Sequence, residues 1–183
     1  MDVESVAFET ADEWLAWLSE HHDTAADVWL KIAKKGSAMR TLTLTEALDV
    51  ALCFGWIDSR RRGGDAAHYV QRYSRRRAGG AWSKINVAKV EVLFAAGRMQ
   101  PAGIAEVDAA KADGRWEAAY ASQKEATVPP DLAAALDADP AARRAFEQLD
   151  RTNRYAVILG LLKARTPAGR TARLAKALAG LAG

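Results

Sequence analysis

All six tryptophans of this chain, Trp14, Trp17, Trp29, Trp56, Trp82 and Trp116, fall within the first 116 of its 183 residues. An indole buries a large apolar area and carries one N–H that needs an acceptor, so a chain builds its main core where its indoles are. The principal core is therefore expected in the N-terminal part. The last 60 residues keep only Phe146 and Tyr155 as large aromatics and read as alanine-rich helix. The length suits one compact domain, or one domain with a small appendage.

Charge is as unevenly spread as tryptophan. Residues 58–87 hold eight Lys/Arg against two Asp, a net +6, while the remainder carries 18 positive against 21 negative charges, a net −3. This excludes a uniformly basic packaging protein and a strongly acidic disordered chain. The single cysteine, Cys53, excludes an internal disulfide framework and a cysteine-rich zinc site. The acidic opening Met1-Asp2-Val3-Glu4 lacks the apolar core of a secretory signal, and no run is long enough to insert in a membrane. A cytoplasmic protein is expected.

Punctuation along the chain gives the elements. Thr10-Ala-Asp-Glu13 and Thr43-Leu-Thr-Glu46 both have capping-box spacing. The first precedes a helix carrying Trp14, Leu15 and Leu18. The second opens a helix whose Leu44, Ala47, Leu48, Ala51 and Leu52 share one face and whose end is Gly55. Between them, Val28, Leu30 and Ile32 alternate as in a strand. Trp56–Asp58 and His68–Ser74 read as strands joined by a Gly63-Gly64-Asp65 turn, and Arg75–Ala81 as a mobile loop. Ser83 is placed to cap a helix reaching about Met99, and Pro101 to start the next, which stops near Gly114. Val128-Pro129-Pro130 reads as a linker before helices near 131–136, 140–149, 153–164 and 168–181. The expected fold class is α+β: a small antiparallel sheet packed with helices, followed by a helical C-terminal region. The expected domains are an α+β core over 1–127 and a helical region over 128–183 packed on that core.

The chemistry-bearing residue types give few conventional signals. Cys53 lies in helical register with Glu46 and Asp49 near a helix C-terminus, which disfavours a thiolate. His21, His22 and His68 lack ligand spacing, so no metal is expected. Gly63-Gly64 and Gly79-Gly80 precede no phosphate-loop lysine, so no nucleotide cofactor is expected. The informative stretch is Trp56 to Asn86. Arg60–Arg62 and Arg75–Arg77 flank a strand in which Tyr69, Gln71 and Tyr73 share one face, and Val70 and Arg72 the other. Guanidiniums interleaved with aromatics suit phosphate or carboxylate recognition; the alternative is a solvated basic loop with Trp82 in the core. Asn86 lies opposite the polar stripe of its helix, near Val90 and Leu93, where a buried amide needs partners.

The run Glu46-Ala47-Leu48 to Ala51-Leu52-Cys53-Phe54-Gly55-Trp56-Ile57-Asp58, with Arg76-Arg77 and Trp82-Ser83-Lys84-Ile85-Asn86, resembles the YdeI/OmpD-associated (bacteriocin-protection) family. Gly97-Arg98-Met99, Pro101-Ala102-Gly103, Gly114-Arg115-Trp116, Val128-Pro129 and Thr166-Pro167 with Arg170 and Arg173 extend the resemblance over nearly the whole chain. It departs at Tyr73–Gly80, where relatives tend to have two prolines and a serine; Arg75 takes a proline position. The resemblance implies a part in bacterial stress or bacteriocin protection and supplies no catalytic residue.

Together these readings predict a binding protein more than an enzyme. Trp56, Asp58, Arg72, Arg76, Arg77, Trp82, Ser83, Asn86 and Arg98 are expected to form or border a cleft for an anionic small molecule or an acidic protein surface. Two alternatives stand beside this: nucleic-acid binding through the basic segment, and an enzyme of unknown reaction with Asp58 as base. The sequence leaves the oligomeric state open. Leu174, Leu178 and Leu181 are placed to pack on their own core or on another subunit.

Overall fold

The computed structural model describes residues 4–182; Met1–Val3, part of the acidic opening, and Gly183 lie outside it. Eight helices and one three-stranded antiparallel sheet are present among the described residues, an α+β fold with its C-terminal region helical. The chain divides into two compact units. One runs up to Trp82 and resumes over Asn86–Ala118; the other comprises Ser83–Ile85 and the residues from Ala119 on.

In the first unit, α1 (Ala11–His21) is capped by Thr10, whose hydroxyl accepts from Glu13 N–H at 3.3 Å. Glu13 reaches back one residue further than a capping box requires, to Glu9 N–H at 2.7 Å. Strand β1 (Asp27–Ala33) buries Val28, Leu30 and Ile32 in the alternation the sequence predicts. Helix α2 (Leu44–Cys53) opens on a complete capping box: Glu46 N–H donates to Thr43 Oγ1 at 3.2 Å, and Thr43 N–H to Glu46 Oε2 at 2.7 Å. Those bonds to the carboxylate form hold the Glu46 pKa below its ordinary value.

Strand β2 (Trp56–Gly63) extends five residues beyond the predicted Trp56–Asp58. Strand β3 (His68–Arg75) lies between the others, giving the order β1-β3-β2. The β2–β3 register shifts between Asp58 and Arg61, a bulge that re-aims the arginines beyond it. Helix α3 (Lys84–Ala95) stops short of the expected Met99 because Gly97, at φ +66°, turns the chain. Helix α4 (Pro101–Ala112) has its proline in the first turn, as read.

Trp14 sits at the centre of this unit. It is fully buried, packs 5.9 Å from Tyr73 and edge-on to Trp56, and its Nε1–H donates to the Ala47 carbonyl at 3.0 Å. One side chain thus joins α1, α2 and the sheet. Helix α4 reaches the end of α2 at equally close range. Gln100 N–H donates to the Cys53 carbonyl at 3.0 Å, and a Cβ added to Gly103 would collide with that same carbonyl oxygen.

The second unit is built from α5 (Pro130–Ala138), α6 (Pro140–Gln148), α7 (Arg151–Leu162) and α8 (Pro167–Ala182). Leu132, Leu136, Ala142, Phe146, Ile158 and Leu161 form its core, and Leu174, Leu178 and Leu181 of α8 pack against them, within the same chain. Arg170 of α8 forks onto Asp131 at 2.7 and 2.8 Å and also donates to the Leu161 carbonyl at 3.2 Å. Arg173 donates to the Gly160 carbonyl at 2.7 Å. Arg173 thus satisfies a carbonyl near the end of α7, while Arg170 adds a donor to the Leu161 carbonyl, which already accepts from Ala164 N–H at 2.9 Å.

These contacts predict opposite outcomes for one substitution at two helical glycines. Gly103→Ala should cost roughly 3 kcal/mol, since the methyl group meets backbone that cannot swing aside. Gly160→Ala should gain about 0.5–1 kcal/mol, because its Cβ meets open space and alanine favours helix. Urea denaturation of both variants checks the pair.

Candidate functional site

Strand β2 starts the site. Trp56 is buried, and its Nε1–H donates to the His22 carbonyl at 3.1 Å, fixing the segment after α1 against the sheet. Two residues on, Asp58 is half-buried opposite Tyr73 of β3. Burial pushes the Asp58 carboxyl above the ordinary range, while the Arg76 and Arg61 charges pull it back. The Tyr73 hydroxyl is buried without a hydrogen-bond partner, and burial with the Asp58 charge keeps it protonated far above neutral pH.

Arg76 follows β3 directly. Its backbone N–H donates to the Gly55 carbonyl at 3.1 Å, and its guanidinium lies 3.5 Å over the Trp82 ring. Trp82 is buried and meets Trp116 edge-on at 4.9 Å; Lys111 stands over the far ring at 5.4 Å. The result is a pile of cation, two indoles and cation. The segment predicted to be a mobile loop is fastened at several points. Gly80 N–H closes a turn onto the Arg77 carbonyl at 2.8 Å, and Arg115 donates to the Gly80 carbonyl at 3.2 Å. Arg115 is only 5% exposed and holds Glu106 at 3.0 Å and Asp113 at 2.7 Å.

A cleft of about 360 Å³ opens beside this pile, lined by His22, Asp23, Phe54, Gly55, Arg75, Arg76, Ala102, Ala105 and Glu106. Arg75 is anchored by donation to the Asp23 carbonyl at 3.1 Å. Two guanidiniums thus face a cleft that also contains two carboxylates, one of them already engaged by Arg115. Among the described residues, no group of three His, Cys, Asp or Glu is arranged to hold a metal.

Of the nine residues nominated from sequence, Arg76 lines this cleft, Trp82 supports it, and Trp56 and Asp58 lie close behind it in the fold. Arg72 does not join them: it points to the other side of β3 and pairs with Asp27 at 2.6 Å. Arg77 and Arg98 are exposed, and the Arg98 charge acts instead on the Cys53 thiol. Ser83 belongs to the second unit, where it bridges to Tyr120, and Asn86 is half-buried on α3. Cys53 is buried with its thiol donating to the Asp49 carbonyl at 3.2 Å; burial pushes its pKa up, the direction read from sequence. The residues that sequence reasoning missed are His22, Asp23, Arg75, Glu106 and Arg115. The one available signal was Arg115 beside Trp116 just after the helix stop Gly114, since an arginine next to a core indole needs carboxylate partners.

Arg115→Met should destabilise the protein by on the order of 3 kcal/mol, because Glu106 is left in a confined site without its cation. Thermal and urea denaturation read this directly. Asp58 gives a pH prediction of definite sign. Its raised folded-state pKa means the folded protein takes up this proton at higher pH than the unfolded chain does, so stability rises as pH falls through that value. Asp58→Asn should be more stable than the parent at neutral pH, and the advantage should vanish in acid. Urea midpoints at the two pH values check it.

Residues 6–106 match the model of a Domain of unknown function (DUF8412), and residues 125–183 match Bacteriocin-protection, YdeI or OmpD-Associated. No curated protein and no solved structure matches the chain. The resemblance read along nearly the whole sequence is thus found in the C-terminal segment. The Trp56–Asp58 and Trp82–Asn86 blocks fall within the range of the other model. The chain belongs to the DUF8412 family and carries a YdeI/OmpD-associated, bacteriocin-protection segment at residues 125–183.

Proposed function

We propose that the first unit is a non-enzymatic binding module for a small anionic molecule, held by Arg75 and Arg76. The observation that carries this reading is the Arg76 guanidinium, stacked on buried Trp82 and presented at the edge of a cleft. A stacked, planar guanidinium has already lost most of its rotamer freedom, so binding a carboxylate or phosphate costs it little further order. Asp23 and Glu106 on the same cleft favour a ligand that also carries hydrogen-bond donors, such as an amino acid or a hydroxy acid, over a bare polyanion. A protein that protects by binding needs no reacting side chain, which agrees with the bacteriocin-protection description of the C-terminal segment.

A panel of amino acids, hydroxy acids, sugar phosphates and nucleotides, screened by thermal shift, tests this. A ligand at a hundredfold its Kd stabilises by about 2.7 kcal/mol, enough for a shift of several degrees. The Arg75→Gln, Arg76→Gln double variant should lose the ligand-induced shift while still unfolding in one cooperative transition, at a Tm somewhat below the parent value. No shift from any compound, or a shift that survives in the double variant, would overturn the reading. Gel shifts with single- and double-stranded nucleic acid at two salt concentrations test the nucleic-acid alternative, which requires affinity that falls steeply with salt.

A further inference from the structure

Residues 151–183 contain seven Lys/Arg and no Asp or Glu, a denser one-sided charge than the segment that drew attention in the sequence. In the fold this stretch becomes α7, the turn after it, and α8. Between the two helices runs a groove of about 620 Å³. That volume lies within the usual range for small-molecule sites, roughly 300–1,000 Å³.

The groove is built from small and apolar groups. Ala156, Gly160, Ala177 and Gly180 line it, with Val157 and Leu181 among the larger side chains. A Cβ placed on Gly160 or Gly180 meets nothing within 4 Å, so neither glycine is required by packing. In a helix interior each weakens the element and fills nothing. What both provide is open space along one groove. The polar side chains here are Asn153, Arg173 and Lys176, of which two are cations and none is an acid. Arg173 is held in place by its 2.7 Å bond to the Gly160 carbonyl.

We infer that this groove is a second binding site, for a free single-chain amphiphile with an anionic head and an alkyl tail. The head pairs with Arg173 and Lys176; the tail lies along the alanines and glycines towards Leu149. Along α8 the helical rise from Arg173 to Leu181 gives ~12 Å, the extended length of a chain of about ten carbons. An apolar trough accounts for a tail, and Arg173 and Lys176 without an acid among the lining residues account for the sign of the head. This groove is lined by residues of the second unit and the Arg75–Arg76 cleft by residues of the first, so neither site uses the other's side chains.

Titration of the full chain with dodecanoate below its micelle concentration, by calorimetry, tests the inference, with dodecanol as the uncharged control. Gly160→Leu should fill the groove and cut dodecanoate affinity at least tenfold, while circular dichroism keeps the parent helical signal and Tm does not fall below the parent value. Gly160→Ala should bind nearly as the parent does. Lys176→Gln should weaken dodecanoate several-fold and leave dodecanol unchanged. The Arg75→Gln, Arg76→Gln variant should bind dodecanoate like the parent; loss of binding there, with binding retained in Gly160→Leu, would move the site to the other unit and overturn the inference. Absence of dodecanoate binding would also overturn it. So would equal affinity for dodecanol, or sedimentation with anionic vesicles in the absence of dodecanoate binding.

Discussion

The bond from the Trp14 indole N–H to the Ala47 carbonyl is the point on which the first unit turns. A buried indole without an acceptor costs more than the bond returns when made, so this contact fixes the ring orientation as well as its position. With that orientation set, Trp14 stacks on Trp17, meets Trp56 edge-on and rests on Tyr73. Trp56 in turn bonds to the His22 carbonyl, and this places His22 and Asp23 beside Arg75 and Arg76. The cleft therefore depends on core packing: two of its lining residues, His22 and Asp23, are positioned by the bond from buried Trp56 to the His22 carbonyl.

The same economy operates around Trp82. It is a core residue by burial and a platform for Arg76 by geometry. The sequence offered these as competing alternatives, a buried tryptophan or a binding aromatic, and the fold satisfies both descriptions with one ring. Arg115 secures the arrangement from beneath, spending its donors on two carboxylates and a loop carbonyl. A site built on such supports is rigid before any ligand arrives, which is the condition for tight binding by few contacts.

Local chemistry was legible in the sequence where it acts locally. The Thr43–Glu46 box, the β1 alternation and Pro101 at the start of α4 all depend on neighbours within four residues. The reach of β2 was not legible, because Ser59–Gly63 has no apolar alternation and becomes strand only by pairing with β3. The site was half legible. Arg76 and Trp82 stand out in a basic, aromatic stretch. Asp23 and Glu106 come from other elements, and only the fold brings them to the same cleft, with buried Arg115 behind Glu106. Arg72 misled for a related reason: in a strand, neighbours in sequence face opposite sides, so a cluster of arginines in one dimension is divided by the sheet.

The ion pair between Asp131 and Arg170 links the first residues of α5 to the second turn of α8, 39 positions later. Synthesis proceeds from the N-terminus, so the carboxylate is made long before its guanidinium. Until α8 emerges, the Gly160 carbonyl near the end of α7 also lacks the arginine that bonds to it. The second unit is thus a structure that its last helix completes. Its earlier helices spend their first moments with an apolar face uncovered, and α8 brings the covering leucines and the missing charges in a single step.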